Sequence, residues 1–210
     1  MTTVPVSDRA ALVRRGLLLN YLTLGYNVVE AVISVAAGLG AGSVALVSFG
    51  VDSGIEVTSS LAAQWRLRAD TDAKRRDRVE HLTHRIIGIC FLALAAYVVV
   101  ESTATLWKRE APEASPVGLA ILSLSVLIMP ILARASRHVA RALGSRALEA
   151  DAAQTSLCAY LSVIALAGVG LNAGLGWWWA DPVAALLMVP IIAKEGLEGV
   201  HGEPGCDCHS

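Results

Sequence analysis

Long apolar segments separated by short charged stretches dominate this sequence. Six of them are long enough for a helix to cross the roughly 30 Å hydrocarbon core of a bilayer, which takes about 20 residues. We place them at residues 16–38, 44–65, 86–107, 116–136, 148–172 and 177–196. The pattern predicts an all-α polytopic membrane protein, a bundle of six transmembrane helices.

Turn signals and proline refine this prediction. The stretches "GLGAGS" and "GLGWWWADP" are typical of tight turns, and Pro130 is expected to kink the fourth span. We therefore divide the chain into an N-terminal segment at 1–15, a transmembrane domain at 16–196, and a short tail at 197–210 that contains Cys and His.

Positive charge is distributed unequally between the two sides of the predicted bundle. All but two of the 17 lysine and arginine residues lie at the chain ends or in the loops after the second and fourth spans. The exceptions, Lys108 and Arg109, follow the third span. Because cytoplasmic loops carry the excess of Lys and Arg, we expect both termini to be cytoplasmic.

Composition supports the membrane class and excludes others. The chain is 55% hydrophobic with a mean hydropathy of +0.57, too apolar for a typical soluble domain. Its net charge of −1 indicates no particular partner. The placement of the four cysteines does not suggest an extracellular disulfide framework, and the polar first ten residues do not suggest a removable signal peptide.

Two carboxylates interrupt the second span. Asp52 and Glu56 are four residues apart, so they share one face of a helix. An acid at the centre of a spanning helix costs about 2.5–3.5 kcal/mol on insertion scales. Two such charges repel unless protons or a cation neutralise them, so this pair predicts a functional site.

The fifth span offers a complement to these acids. In "EADAAQTSLCAYLS", residues Asp151, Gln154 and Cys158 follow one another at spacings of three and four. Spans two and five run antiparallel, and Glu56 and Cys158 both fall near the bilayer midplane. Carboxylate and amide oxygens with a thiolate are compatible with Zn²⁺ at about 2.0–2.3 Å. Taken alone, an intramembrane Gln or Cys more often serves helix packing.

Three stretches resemble the cation diffusion facilitator (cation efflux) family: "AGSVALVSFGVDSGIEVTSS", "LEADAAQTSLCAYLS" and "WWADPVAALLM". The family has a Gly-Ser-Xaa-Ala-Leu turn before an Asp-xxx-Asp second helix, Ala-Asp-Ala-xx-His-xxx-Asp in the fifth helix, and Asp-Pro at the sixth. The resemblance covers nearly all of residues 16–196 and implies six spans with cytoplasmic termini.

The resemblance also implies a metal site. The second-helix ligands of the family fall on Asp52 and Glu56, its fifth-helix His on Gln154, and the following Asp on Cys158. Exchanging His for Gln removes a nitrogen ligand that titrates near neutral pH, and exchanging Asp for Cys softens the site. The chain resembles a short branch that lacks the family's cytoplasmic C-terminal domain, so we expect a homodimer to form through the membrane helices.

Other polar residues could assist this site. Asn27 and Glu30 in span one could line the cavity or relay protons, or serve only structural hydrogen bonds. Asp151 could guard the inner mouth or cap the fifth helix. We expect Asp181 to cap the sixth helix, with Pro182 at its first position.

Two clusters outside the spans carry metal-binding side chains. His81 and His84 could form a cytoplasmic collecting site, although a solvated basic loop also explains them. In the tail the candidate donors are His201, Cys206, Cys208 and His209, and a disordered tail without metal explains them equally.

The resemblance implies a secondary transporter that exports a divalent transition metal, first of all Zn²⁺, from the cytoplasm in exchange for protons. The alternative is a membrane-embedded metal-binding or regulatory protein that does not move metal. We expect a multi-pass protein of the bacterial plasma (inner) membrane. Its predicted partners are the metal ion, protons and the bilayer, with no nucleic acid, no cofactor beyond the transported ion and no enzymatic activity.

Overall fold

The computed structural model describes residues 6–68, 73–143 and 146–201, and within these ranges every regular element is an α-helix. Six helices follow one another along the chain: α1 (Val6–Ala41), α2 (Val44–Arg68), α3 (Ala73–Lys108), α4 (Pro116–Leu143), α5 (Arg146–Leu175) and α6 (Ala180–His201). Five of the predicted spans lie inside a helix. The sixth helix begins at Ala180, three residues later than expected, because the turn after α5 occupies residues 176–179.

Glycine and serine explain the tight turn between α1 and α2. Gly42 has a φ of 66°, a left-handed conformation that ends α1. The hydroxyl of Ser43 then accepts a hydrogen bond from the N–H of Leu46 at 3.1 Å, as expected for an N-cap residue. Gly176, also at a φ of 66°, ends α5 in the same way. Both predicted turns are therefore present.

Each of the six helices extends beyond its predicted span at one end or both. α1 begins at Val6, inside the segment expected to precede the membrane domain, and α3 begins at Ala73, well before the predicted residue 86. α6 continues to His201. Charged sequence at the ends of these spans is thus accommodated as additional helical turns.

The helices pack with α2 in the interior of the bundle. α1 packs against α2 and α4, α3 packs against α6, and α4 packs against α5. α2 also contacts α3, α5 and α6, and its residues 44–50 are all buried. The acids of the second span are therefore held among other helices and away from the outer surface.

The first helix has its polar side inside and its apolar side outside. Thr23, Asn27, Glu30 and Ser34 recur at spacings of three and four and are each at most 2% exposed. The outward face carries large apolar side chains, such as Val32 at 66% exposed. This arrangement is the reverse of a soluble protein and suits a helix whose surroundings are lipid.

Among the described residues, four helices have the length and apolar composition needed to cross a membrane, in the segments Arg14–Ala41, Arg85–Lys108, Pro116–Ala142 and Asp151–Leu175. α2 and α6 complete the same bundle. The protein is a polytopic membrane protein of the all-α class, as predicted. The orientation of its termini remains a prediction.

Candidate metal centre

Asp52 and Glu56 are both buried in α2, at 7% and 4% exposed. Their positions depend on how α2 starts, because Ser43 and a carboxylate from α6 hold its first turn. Asp181 accepts hydrogen bonds from the Ser43 hydroxyl and from the N–H groups of Val44 at 2.9 Å and Ala45 at 3.4 Å. The expectation that Asp181 caps its own helix is therefore corrected. It caps α2, where free N–H groups and the helix dipole favour a negative charge.

The four predicted donors lie around one cavity. Asp52 and Glu56 from α2 and Gln154 and Cys158 from α5 line a space of about 20 Å³, room for roughly one water-sized group. We call this space the central cavity. Five of the other lining residues are apolar: Phe91, Leu157, Leu161, Ile191 and Ile192. The sixth is the acid Glu195, from α6.

The donors surround the central cavity without forming a closed coordination shell. Within residues 6–68, 73–143 and 146–201, no three His, Cys, Asp or Glu side chains are close enough together to hold a metal ion at once. Glu56 Oε1 accepts a hydrogen bond from the Thr155 hydroxyl at 3.0 Å. Asp52 has no hydrogen-bond donor among the described residues, although it is nine-tenths buried. The assignment of these four residues as metal ligands remains a prediction.

Cys158 connects the central cavity to a second polar cluster. Its thiol lies 3.7 Å from Glu30 Oε2, to which it donates, and 4.0 Å from the Ser53 hydroxyl. Glu30 also accepts hydrogen bonds from Ser53 at 2.7 Å and from Ser125. The carboxyl group of Glu30 thereby joins α1 to α2, α4 and α5, so its hydrogen bonds have a clear structural role.

Asn27 and Glu30 lie behind the central cavity, on its α1 side, and neither lines it. Asn27 is fully buried, and its amide interacts with the carboxyl group of Glu56. The hydrogen bonds of Glu30 support a structural role for this residue. A role of Asn27 and Glu30 in relaying protons remains a hypothesis.

Asp151 is also set apart from the central cavity. Its carboxylate accepts hydrogen bonds from Asn20 at 3.2 Å and from Ser60 at 3.0 Å, which links α5 to α1 and α2. It lies five residues into α5, so capping the start of that helix is not its role. Its other predicted role, at the inner mouth, remains a hypothesis.

Most of the predicted accessory His and Cys side chains lie outside the described part of the structure. The backbone of α3 includes His81 and His84, but their side chains lie outside the described part of the structure. His201 ends α6, is exposed, and places Nδ1 2.7 Å from the Leu197 carbonyl oxygen. Cys206, Cys208 and His209 lie outside the described residues.

Sequence reasoning missed Glu195, which lines the central cavity from α6. The signal was present, because Asp181, Ala185, Met188 and Ile192 recur at spacings of three and four along the buried face of α6, and Glu195 is the next member. The sequence analysis assigned Glu195 no role, although it falls inside the predicted sixth span.

The bundle of six helices with buried acids places the protein in the class of polytopic membrane proteins that carry ionisable residues inside the membrane. The particular family follows from the sequence match. The family model described as "Cation efflux transmembrane domain" matches residues 21–200, and the chain belongs to this family.

One curated relative is the magnetosome protein MamB of Magnetospira sp. (strain QH-2). It is 25% identical over 185 residues, which make up 85% of this chain and 61% of MamB. The chain thus spans about three fifths of the length of that relative.

Proposed function

We propose that the protein is a secondary transporter that exports a divalent transition-metal cation, first of all Zn²⁺, in exchange for protons. The observation that carries the proposal is the position of Asp52, Glu56, Gln154 and Cys158 around one buried cavity, in a chain of the cation efflux family. Membership of the family supports cation transport, and the donor chemistry supports the choice of metal.

The donor set favours a borderline-soft divalent ion. Two carboxylates and a thiolate supply negative charge, and the amide oxygen of Gln154 supplies a neutral ligand. Since the side chains surround a cavity and do not yet converge, metal binding would draw the α2 and α5 donors inward around the ion.

Proton exchange follows from the chemistry of the ligands. Carboxyl and thiol groups must be deprotonated to bind a metal, so binding releases protons and protonation releases the metal. A cavity that opens alternately to each side would convert this competition into exchange. The acids remain in the membrane interior because either a metal or protons neutralise them.

Metal transport by the purified protein in liposomes tests the proposal. We expect Zn²⁺ transport that dissipates an imposed pH gradient, and we expect Asp52→Asn and Glu56→Gln to reduce it to the background of empty liposomes. Both substitutions keep the shape of the side chain and remove its negative charge. Glu101→Gln is the matched control, because Glu101 is an exposed acid on α3 outside the cavity, and it should transport normally.

Normal transport by Asp52→Asn and Glu56→Gln would contradict the site assignment. Zn²⁺ binding without transport by the wild-type protein would instead favour the alternative, a membrane-embedded metal-binding protein. Comparing Zn²⁺, Co²⁺, Fe²⁺, Mn²⁺ and Cd²⁺ in the same assay determines the metal preference.

A further inference from the structure

Glu195 brings a third carboxylate to the central cavity. It lines the cavity from α6, opposite the pair on α2, and is partly buried. Lys194 interacts electrostatically with Glu195, but its side chain is 70% exposed, its ammonium lies 3.5 Å from Glu198, and it does not line the cavity. Among the residues that line the cavity there is no Lys, Arg or His.

Close packing between α3 and α6 fixes the position of Glu195. A Cβ atom placed on Gly88 would lie 2.7 Å from the carbonyl oxygen of Gly196 and 2.6 Å from the backbone nitrogen of Val200. A Cβ atom on Gly196 would lie 2.8 Å from the Leu92 side chain. The backbones therefore meet directly beside Glu195, which leaves α6 little freedom to rotate this residue away from the cavity.

Glu195 lies nearer than Glu56 to the end of the bundle predicted to face the cytoplasm. The contact between Asp181 and Val44 sets the starts of α6 and α2 side by side. Glu56 is 12 residues beyond Val44, whereas Glu195 is 14 residues beyond Asp181. At about 1.5 Å per residue, Glu195 is roughly 3 Å deeper towards that end.

The unpaired state of Asp52 is an independent indication that the cavity takes a cation. Its carboxylate is 7% exposed, faces the cavity and has no hydrogen-bond donor among the described residues. A buried carboxylate without a partner is costly, and Glu56 and Glu195 add like charge around the same space. A divalent cation that enters the cavity would offset this accumulated negative charge.

We propose that Glu195 is a further metal ligand, which takes the cation at the cytoplasmic side of the central cavity and passes it on to Asp52 and Glu56. This inference rests on the proposed function of the cavity as a cation site. It assigns to α6 a direct part in binding, beside the donors of α2 and α5.

The test compares Glu195→Gln with Glu198→Gln, which removes the same charge one turn further along α6. Zn²⁺ is presented to the cytoplasmic face in transport assays, and its binding to the detergent-solubilised protein is measured by calorimetry. We expect Glu195→Gln to raise the apparent KM and the Kd for Zn²⁺ about tenfold, with a smaller effect on the maximal rate, because one charged ligand is lost. Glu198→Gln should match the wild type.

Two more variants separate ligation from structure. Glu195→Asp keeps the charge and should keep the Kd within about threefold of wild type. Glu195→Cys replaces oxygen by sulfur and should shift the preference from Zn²⁺ towards Cd²⁺, which a structural role would not do. Equal thermal stability of all variants in detergent is the folding control.

An unchanged Kd in Glu195→Gln, or an equal loss in Glu198→Gln, would overturn the inference. If Asp52→Asn abolishes binding while Glu195→Gln binds normally, only the role of Glu195 fails and the proposed function stands. If the wild-type protein binds Zn²⁺ but does not transport it, the proposed transport function is wrong. The comparison of Zn²⁺ binding by the wild type and by Glu195→Gln still decides the role of Glu195.

Discussion

Cys158 faces two environments that make different demands on its side chain. On one side it borders the central cavity, and on the other its thiol donates to Glu30 at 3.7 Å. A hydroxyl can replace the thiol as a hydrogen-bond donor but is a much poorer ligand for soft metals. The two roles can therefore be separated by a single substitution.

We expect Cys158→Ser to fold normally and to lose affinity for Cd²⁺ and Zn²⁺ by about tenfold or more, with a smaller change for Mn²⁺. Competition between metals in the liposome assay measures this change in preference. Cys90→Ser is the control, because Cys90 is an exposed cysteine on α3 away from the cavity. Equal losses for all metals would contradict a ligand role for the sulfur.

At the scale of the helices, the contact between Asp181 of α6 and the start of α2 could not be predicted from the spacing of residues along the sequence. The sequence indicated correctly that Asp181 would lie near a helix start, since Asp followed by Pro is typical of that position. The helix that it caps is 136 to 138 residues away along the chain. Such long-range contacts depend on how helices pack, and one sequence does not contain that information.

Asp181→Ala should lower the free energy of unfolding by about 1–3 kcal/mol, because it leaves buried N–H groups at the start of α2 without an acceptor. Thermal unfolding in detergent measures the loss. Asp181→Asn keeps an acceptor oxygen and should lose less. Equal stability of Asp181→Ala and the wild type would contradict the capping role.

Glu195 shows a second limit of prediction at this scale. Spacings of four within α2 and α5 correctly indicated which side chains share a helical face, and those residues line one cavity. Glu195 was missed although it lies inside the predicted span 177–196, because the buried periodicity of α6 was not followed to the end of that span. The direct backbone contact of α6 with Gly88 keeps this acid on the inner face.

For the whole molecule, hydropathy was the most informative signal. It predicted the six helices because a bilayer requires long apolar segments with every backbone group paired inside the helix. Hydropathy did not indicate the inward polar face of α1, because the mean over a span combines its polar and apolar positions into one value. Orientation also depends on the distribution of charge, and that prediction can be tested directly.

The orientation of the bundle can be tested with single cysteines introduced into a cysteine-free variant. That variant has serine in place of Cys90, Cys158, Cys206 and Cys208. We expect Glu110→Cys, in the exposed turn after α3, to react with a membrane-impermeant maleimide on intact cells. Arg141→Cys, near the end of α4, should react only after the membrane is permeabilised. The reverse pattern would place both termini outside.

The carboxylate of Asp181 also constrains how the bundle can rearrange. Because it bonds the first turn of α2 from the first turn of α6, these two helices share a fixed pivot at that end. They can diverge only by tilting about it, so the gap between them widens mostly at the far end, beyond Glu195. In the proposed transport cycle, an opening at the end held by Asp181 would then come from movement of other helices relative to the α2–α6 pair.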